Sequence, residues 1–558
     1  MAAAKNVGNA LGFNVHVNED SNPDDISKEG HLVRDVIYGS NMVASHLVHF
    51  YQLAALDFID PAAVGLDKPP FAPRYGPGPS AASYPYYYRI PASISTYLVA
   101  QYVLALQFRR QCNQIGALWG GRAPFVQGLT PGGATTSITQ DAIDKSKALL
   151  YGTTGDKDNP DPGTILAFIG KPTDFAAWVA DTGGDTGKLP IIGDGTYGGT
   201  MLFDVVAAAM FYAEYFWIGN AYERFLAYGV FERGDDSNPL GDKRLLSRGR
   251  KRTGAQYSAF TPPAKPPEWF PSEQEMVHES VAKSYYSYQN ELTQKWRHPW
   301  IGQTVPTPGK GGSYSWVKSP RYKDTTDPDY AKWVPYEAGP LARMMVNGDY
   351  YAGFLYDAGY TSVPNIPSVF GPLAGYPVPQ YGAMGPDLSA AWTTGGPDLS
   401  AIAYNGDSCL DRYAARQLEA YKIARALADW LDELDGSVGA VTSTTRPVPP
   451  TGTHYGYGWT EAPRGALGHW IKIKDGKIKK YQCVVPSTWN ASPRDATGRA
   501  GPAEKAMKGI WIRSEDHPLE VLRVSHSWDF CTACAVHLVS KKNGKKEDKV
   551  FKMDPTYI

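Results

Sequence analysis

Four stretches of this chain carry apolar residues at helical spacing, and long runs rich in Pro, Gly and Tyr separate them, an alternation that points to long helices joined by extended loops. From 26 to 59 the residues Leu32, Val36, Val43, Leu47, Phe50, Leu53 and Leu56 recur on one face, with Asp25 and Ser27 available as caps. Similar patterns over 93–119, 202–231 and 410–434 predict three more helices, the last with acidic and basic residues on one face. Four such helices predict a bundle core. The runs 67–85, 257–271, 304–329 and 362–397 predict no regular structure and are long enough to cover a surface or a partner. After Gly456 short alternating runs take over, and 469–473, a Lys-Asp-Gly-Lys turn and 479–485 read as a hairpin. The predicted class is α+β, mainly α, with a small β element near the C-terminus and residues 1–558 forming one domain.

With 55 Lys+Arg against 56 Asp+Glu the formal net charge is -1, which gives no electrostatic reason to expect nucleic acid or an anionic membrane as the partner. The 36 Tyr and 15 Trp point instead to a large protein interface, although a thick core with tyrosine-rich loops would also use them. No charged segment followed by an apolar run opens the chain, so no signal peptide is predicted. Asp204 and Glu214 interrupt the most apolar helical stretch, 201–218, so no membrane-spanning helix is predicted either.

The five cysteines, Cys112, Cys409, Cys483, Cys531 and Cys534, are too few and too scattered for a disulfide framework. Only Asp529-Phe530-Cys531-Thr532-Ala533-Cys534-Ala535-Val536-His537 gathers soft ligands, two thiols and an imidazole that can grip one metal ion from the same side. Taken alone, the run leaves alternatives: a structural zinc site that lacks its second ligand pair, a thioredoxin-like dithiol with too little chain after it, or two buried cysteines without a ligand role. His46 and His49, three apart on one helix, read as core histidines.

The stretch from Arg523 to His537 resembles the C-terminal signature of nickel-iron hydrogenase large subunits, approximately H-S-F-D-P-C-x-x-C-x-x-H. Glu461-Ala462-Pro463-Arg464-Gly465-Ala466-Leu467-Gly468-His469-Trp470 resembles the family block E-A-P-R-G-x-L-x-H-W, and 481–495 its Y-Q-x-V-V-P-S-T-W-N-x-x-P-R-D block. His46-Leu47-Val48-His49-Phe50-Tyr51, the glycines of 120–133 and Tyr336-Glu337-Ala338-Gly339-Pro340-Leu341-Ala342-Arg343 fit in the same order.

The resemblance implies heterolytic oxidation of dihydrogen at a nickel-iron centre with CN and CO ligands on iron. Cys531 and Cys534 would be thiolate ligands, one of them shared between the metals. His537 would bind a nearby magnesium or iron ion, with the backbone carbonyl of Cys483 as a second ligand. Arg464, beside Pro463, would lie over the open coordination position, Asp529 would pair with it, and Pro486 with Ser487 would hold a cyanide. Electrons would pass to an iron-sulfur small subunit, because no spare cysteine cluster exists here. A cytochrome or quinone-linked membrane subunit would place the complex at the membrane, on its periplasmic or extracytoplasmic side. A non-catalytic hydrogen sensor or scaffold is the alternative from another class.

The family's first signature, R-x-C-G-x-C, has no counterpart here, and Cys531/Cys534 is the single C-x-x-C of the sequence. The expectation is a split large subunit, with a separate polypeptide carrying the other cysteine pair, and the alternative is that the sequence is a truncation of a longer chain. Phe530 replaces the usual proline before the first cysteine, and Phe125 replaces a histidine of the G-G-x-x-P-H block. Residues 538–558 follow the position where the family's maturation endopeptidase cuts, and are expected to be either a cleavable precursor tail or a retained one.

Overall fold

The computed structural model describes residues 26–59, 92–170, 218–231, 244–252, 276–289, 296–323, 333–347, 407–437, 439–442, 451–510, 518–530, 536–542 and 545–551, with isolated positions between them. The described helices are α1 (Lys28–Val48), α2 (Ala92–Gly120), α3 (Gln140–Leu150), α4 (Ile165–Ile169), α5 (Pro340–Asn347), α6 (Cys409–Glu433), α7 (Pro486–Asn490), α8 (Pro502–Met507) and α9 (Leu519–Ser527). The strands are β1 (Leu129–Thr130), β2 (Gly133–Ile138), β3 (Arg224–Val230), β4 (Leu246–Arg252), β5 (Val277–Ser280), β6 (Tyr286–Tyr288), β7 (Thr304–Pro306), β8 (Ser319–Tyr322), β9 (Gly439–Thr442), β10 (Thr453–Ala462), β11 (Gly465–Lys474), β12 (Lys477–Val484), β13 (Val536–Lys542) and β14 (Lys545–Phe551).

Ser27 starts α1 by accepting the Gly30 N–H at 3.1 Å, which satisfies one of the orphan donors of the first turn. At its other end α1 runs on as a π-helical segment, His49–Ala54, and a 3-10 turn, Ala55–Asp57. A capping box of Ser408 and Asp411 opens α6. Leu32, Val36, Val43 and Leu47 of α1 join Leu427, Trp430 and Leu431 of α6 in the main core. Close approach of the two helices depends on Gly39, where an added Cβ would stand 3.0 Å from Leu427 Cδ2.

The segment 202–231 is not one helix, because Arg224–Val230 forms β3, buried along its whole length and paired antiparallel with β4. A short apolar run buried on both faces carries no alternation, so periodicity alone did not separate it from a helix. Within 304–329, expected to lack regular structure, β7 pairs with β6 and β8 pairs with β5. The other three runs expected to be irregular lie outside the described residues. Strands are therefore spread along the chain rather than confined to its end, and the fold is mixed helix and strand.

The expected hairpin is β11–β12, and β10 adds a third antiparallel strand, giving the order β10-β11-β12. Ala462 pairs with Gly465, which leaves Pro463-Arg464 as a two-residue turn. Gly465 has φ +128, and a Cβ there would lie 2.5 Å from the Gly339 nitrogen and 2.7 Å from the Ala338 carbonyl carbon. Only glycine lets the turn press this closely on the segment that enters α5. Trp459 of β10 stacks on Tyr228 of β3 at 4.5 Å, which fastens this sheet to the β3–β4 ribbon. Among the described residues no helix is long and apolar enough to cross a membrane.

Candidate functional site

The Pro463-Arg464 turn delivers a guanidinium to a carboxylate far along the chain. Arg464 Nη2 lies 3.0 Å from Asp529 Oδ1, and Arg416 Nη1 of α6 lies 3.4 Å from the other oxygen, Oδ2. Asp529 follows α9 with φ 52, a left-handed conformation that Asp tolerates better than most side chains. Its backbone N–H donates to the His526 carbonyl at 3.0 Å, closing the end of the helix. Burial would raise the Asp529 carboxyl, but the charges of His49, Arg416 and Arg464 outweigh it and hold the group below its usual range. Burial in turn lowers Arg416 to about 10.

A second buried group lies behind this pair. Arg343 of α5 donates to Glu419 of α6 and to Glu461 at the end of β10. Glu461 also accepts the Tyr228 N–H, and burial raises it to about 7. Glu419 is raised by burial but lowered more by Arg343 and His46, and ends at about 2. His46 Nε2 stands 2.9 Å from Glu419 Oε2, and burial lowers this imidazole to about 4. Taken together, the guanidiniums of Arg343, Arg416 and Arg464 face the carboxyl groups of Glu419, Glu461 and Asp529.

His49 Nε2 lies 2.7 Å from the His526 carbonyl oxygen. A carbonyl can only accept, which assigns the proton to Nε2 and the lone pair to Nδ1. His526 in turn bonds Asp57 through Nδ1, and Arg523 donates to the Asp57 carbonyl at 2.8 Å. These bonds tie α9, and with it the approach to Asp529, to the end of the first long helix.

The structure thus brings Pro463, Arg464 and Asp529 together. Pro486 and Ser487 open α7, with Ser487 buried, and Cys483 is exposed on β12 opposite His469. Cys531 and Cys534 lie outside the described residues, as does the side chain of His537, whose backbone is in β13 opposite Val550. Among the described residues no group of three or more His, Cys, Asp or Glu is arranged to hold a metal ion. Sequence reading missed Arg343, Arg416, Glu419 and Glu461, whereas His46 and His49, read as core histidines, are indeed buried. The available signal was Arg412, Arg416 and Glu419 on a helix whose face toward them is otherwise apolar, a charged stripe that turns inward.

The Nε of Arg464, the Nε of Arg416 and the Nδ1 of His49 are buried and have no hydrogen-bond partner among the described residues. Two cationic N–H donors without partners suit a group rich in hydrogen-bond acceptors, as a metal centre with anionic ligands would be.

A family model described as nickel-dependent hydrogenase matches residues 13–73, 70–153, 197–353 and 370–537. The periplasmic [NiFeSe] hydrogenase large subunit of Desulfomicrobium baculatum is 29% identical over 531 residues, covering 95% of this chain and 82% of that protein. An uptake hydrogenase large subunit of Bradyrhizobium diazoefficiens is 29% identical, covering 97% of this chain and 84% of its own length. A solved structure of the H2-activated, anaerobically purified [NiFeSe]-hydrogenase of Dm. baculatum matches with a TM-score of 0.64 at 27% identity, over 95% of this chain and 84% of that one.

Proposed function

This chain belongs to the nickel-dependent hydrogenase family, and from that premise we propose that it is the catalytic large-subunit part of an enzyme that oxidises dihydrogen heterolytically. The observation that carries the reading is Asp529 held between Arg464 and Arg416, two residues before the Cys531 to His537 run.

In this reading Cys531 and Cys534 would hold a nickel-iron centre with CN and CO on its iron, and one of their thiolates would accept the proton. When bound, the centre supplies the Lewis acidity and the electron uptake that splitting dihydrogen requires. Arg464 contributes a fixed positive charge, and Asp529 orients it through a charge-assisted hydrogen bond. Pro463 stiffens the turn beneath Arg464, while Pro486 and Ser487 line the pocket for a cyanide. His537 and the Cys483 carbonyl bind magnesium or iron. The ion pairs of Arg343 and Arg416 are buried, and the low dielectric around them strengthens each fixed charge.

Cys531/Cys534 is the single C-x-x-C of these 558 residues, so the second thiolate pair of the centre would come from outside them. Electrons leave through an iron-sulfur small subunit, and a cytochrome or quinone-linked subunit places the complex at the extracytoplasmic face of the membrane. Residues 538–558 are a removable tail. Cleavage after His537 would take most of β13 and all of β14, so the C-terminal mass of the purified chain reports it directly.

Hydrogen-dependent dye reduction by the purified complex, with Cys534→Ala beside it, tests the reading. The variant is expected to lose nickel and activity together. Retention of full activity would remove Cys534 from the ligand set, and an inactive but intact wild-type complex would favour a sensor or scaffold.

A further inference from the structure

Arg343 spends every donor it has. A guanidinium carries five N–H groups in a rigid fork. Here Nε donates to Glu419 Oε1 at 2.5 Å, Nη1 to Glu461 Oε2 and the Ala462 carbonyl at 2.8 Å each, and Nη2 to Glu419 Oε2 at 2.6 Å and the Pro463 carbonyl at 3.0 Å. The side chain is fully buried. Three of the five bonds thus fall on the consecutive residues Glu461, Ala462 and Pro463, which lead directly into Arg464.

The other two bonds form a bidentate grip on Glu419. Glu419 stands three residues after Arg416 on α6, so both project from neighbouring positions of one helix. Arg416 holds the far oxygen of Asp529, whose near oxygen holds Arg464. A loop of contacts results, running from Arg464 through its own backbone to Arg343, across Glu419 to α6, and back through Arg416 and Asp529. On its remaining side the turn is pinned against the start of α5 at Gly465.

We propose that Arg343 is the positioning residue of Arg464: it fixes the backbone of the 462–464 turn relative to α6, and so sets where the Arg464 guanidinium stands over the metal centre. The proposal rests on the function proposed above. Lysine cannot substitute, since an ammonium has three donors and no planar fork to bridge a carboxylate and two successive carbonyls.

The test compares Arg343→Lys, Arg464→Lys and the double variant in the tagged complex from the native source. Nickel content, kcat and KM for hydrogen-dependent dye reduction, and the labelling rate of Arg464 by an arginine-selective dicarbonyl reagent are measured, with exposed Arg494 as the internal control. Arg343→Lys is expected to keep its nickel, lower kcat by about 100-fold with KM little changed, and raise Arg464 labelling several-fold, on the scale of about a 1 Å misplacement. In the Arg464→Lys background the same substitution should cost less than about threefold, because both act on one group. Equal losses in the two backgrounds, or unchanged Arg464 labelling, would overturn the proposal.

Should Arg343→Lys fail to assemble, Glu461→Gln loosens only the turn side of the clamp, and the same non-additivity with Arg464→Lys is required of it. A wild-type complex without nickel or activity would instead defeat the proposed function, while the labelling comparison would still report whether Arg343 holds Arg464.

Discussion

Arg464 and Asp529 meet at 3.0 Å across the junction between the β10–β11 turn and the end of α9, and Arg416 closes the far side of the same carboxylate. Two guanidiniums therefore share one buried anion, so each would lose its neutralising partner if the anion were removed.

Asp529→Asn keeps the shape and removes the charge. Breaking a buried pair this way costs about 3–5 kcal/mol, since Arg416 is left buried beside another cation. The complex is expected to melt several degrees lower and to lose most of its hydrogen-dependent dye reduction. A variant with wild-type melting and activity would show that the carboxylate neither holds Arg416 nor orients Arg464.

Gly465→Ala tests the turn. At φ +128 any side chain is strained, and the new Cβ would lie 2.5 Å from the Gly339 nitrogen, a backbone atom that cannot swing aside. The expected loss is on the order of 1–3 kcal/mol, read as a lower melting temperature. Unchanged melting would mean that the turn does not press on the entrance of α5.

His46 sets a pH signature. Burial lowers its folded value to about 4 from the usual 6.5, so between those values the unfolded chain binds more protons and this contribution grows with rising pH. It is fully present above pH 6.5 and is lost as pH falls through 4. Glu461, raised by burial to about 7 from 4.5, acts oppositely: its contribution is present below 4.5 and is lost as pH rises through 7. The two slopes offset each other over most of the window. His46→Gln removes one of them, and the stability difference between wild type and variant should grow by about 3 kcal/mol from acid to neutral pH, at about 1.4 kcal/mol per unit. Denaturant unfolding at several pH values measures it, and a difference independent of pH would contradict the assignment.

Much of the framework could be read from spacing. The helices expected over 93–119 and 410–434 are Ala92–Gly120 and Cys409–Glu433, because a long amphipathic pattern with a cap leaves few alternatives. The strand Arg224–Val230 was hidden because burial on both faces erases alternation, and β10 because its partner β11 supplies the context that defines it. At the site, the blocks around Arg464 and Asp529 stood out in the sequence. The inward charges of α6 did not, since Arg416 and Glu419 at helical spacing look like a solvated face until Arg343, from a segment far away in sequence, is folded against them.

The remaining cysteines provide a contrast with the motif. Burial raises Cys409 to about 12 and pushes the Cys112 thiol up as well, and both are fully enclosed in the core. Neither forms a thiolate readily, so iodoacetamide at mildly alkaline pH should leave both unmodified in the native complex. Conversion of either to alanine should leave the nickel content intact. Rapid alkylation of Cys409, or loss of nickel on its removal, would mean that the ligand set has been misassigned.

Whether this chain helps to hold nickel is measured by elemental mass spectrometry of the complex, purified from its native source through a tag on this chain. Near-stoichiometric nickel is the expected result. An intact complex without nickel would contradict it.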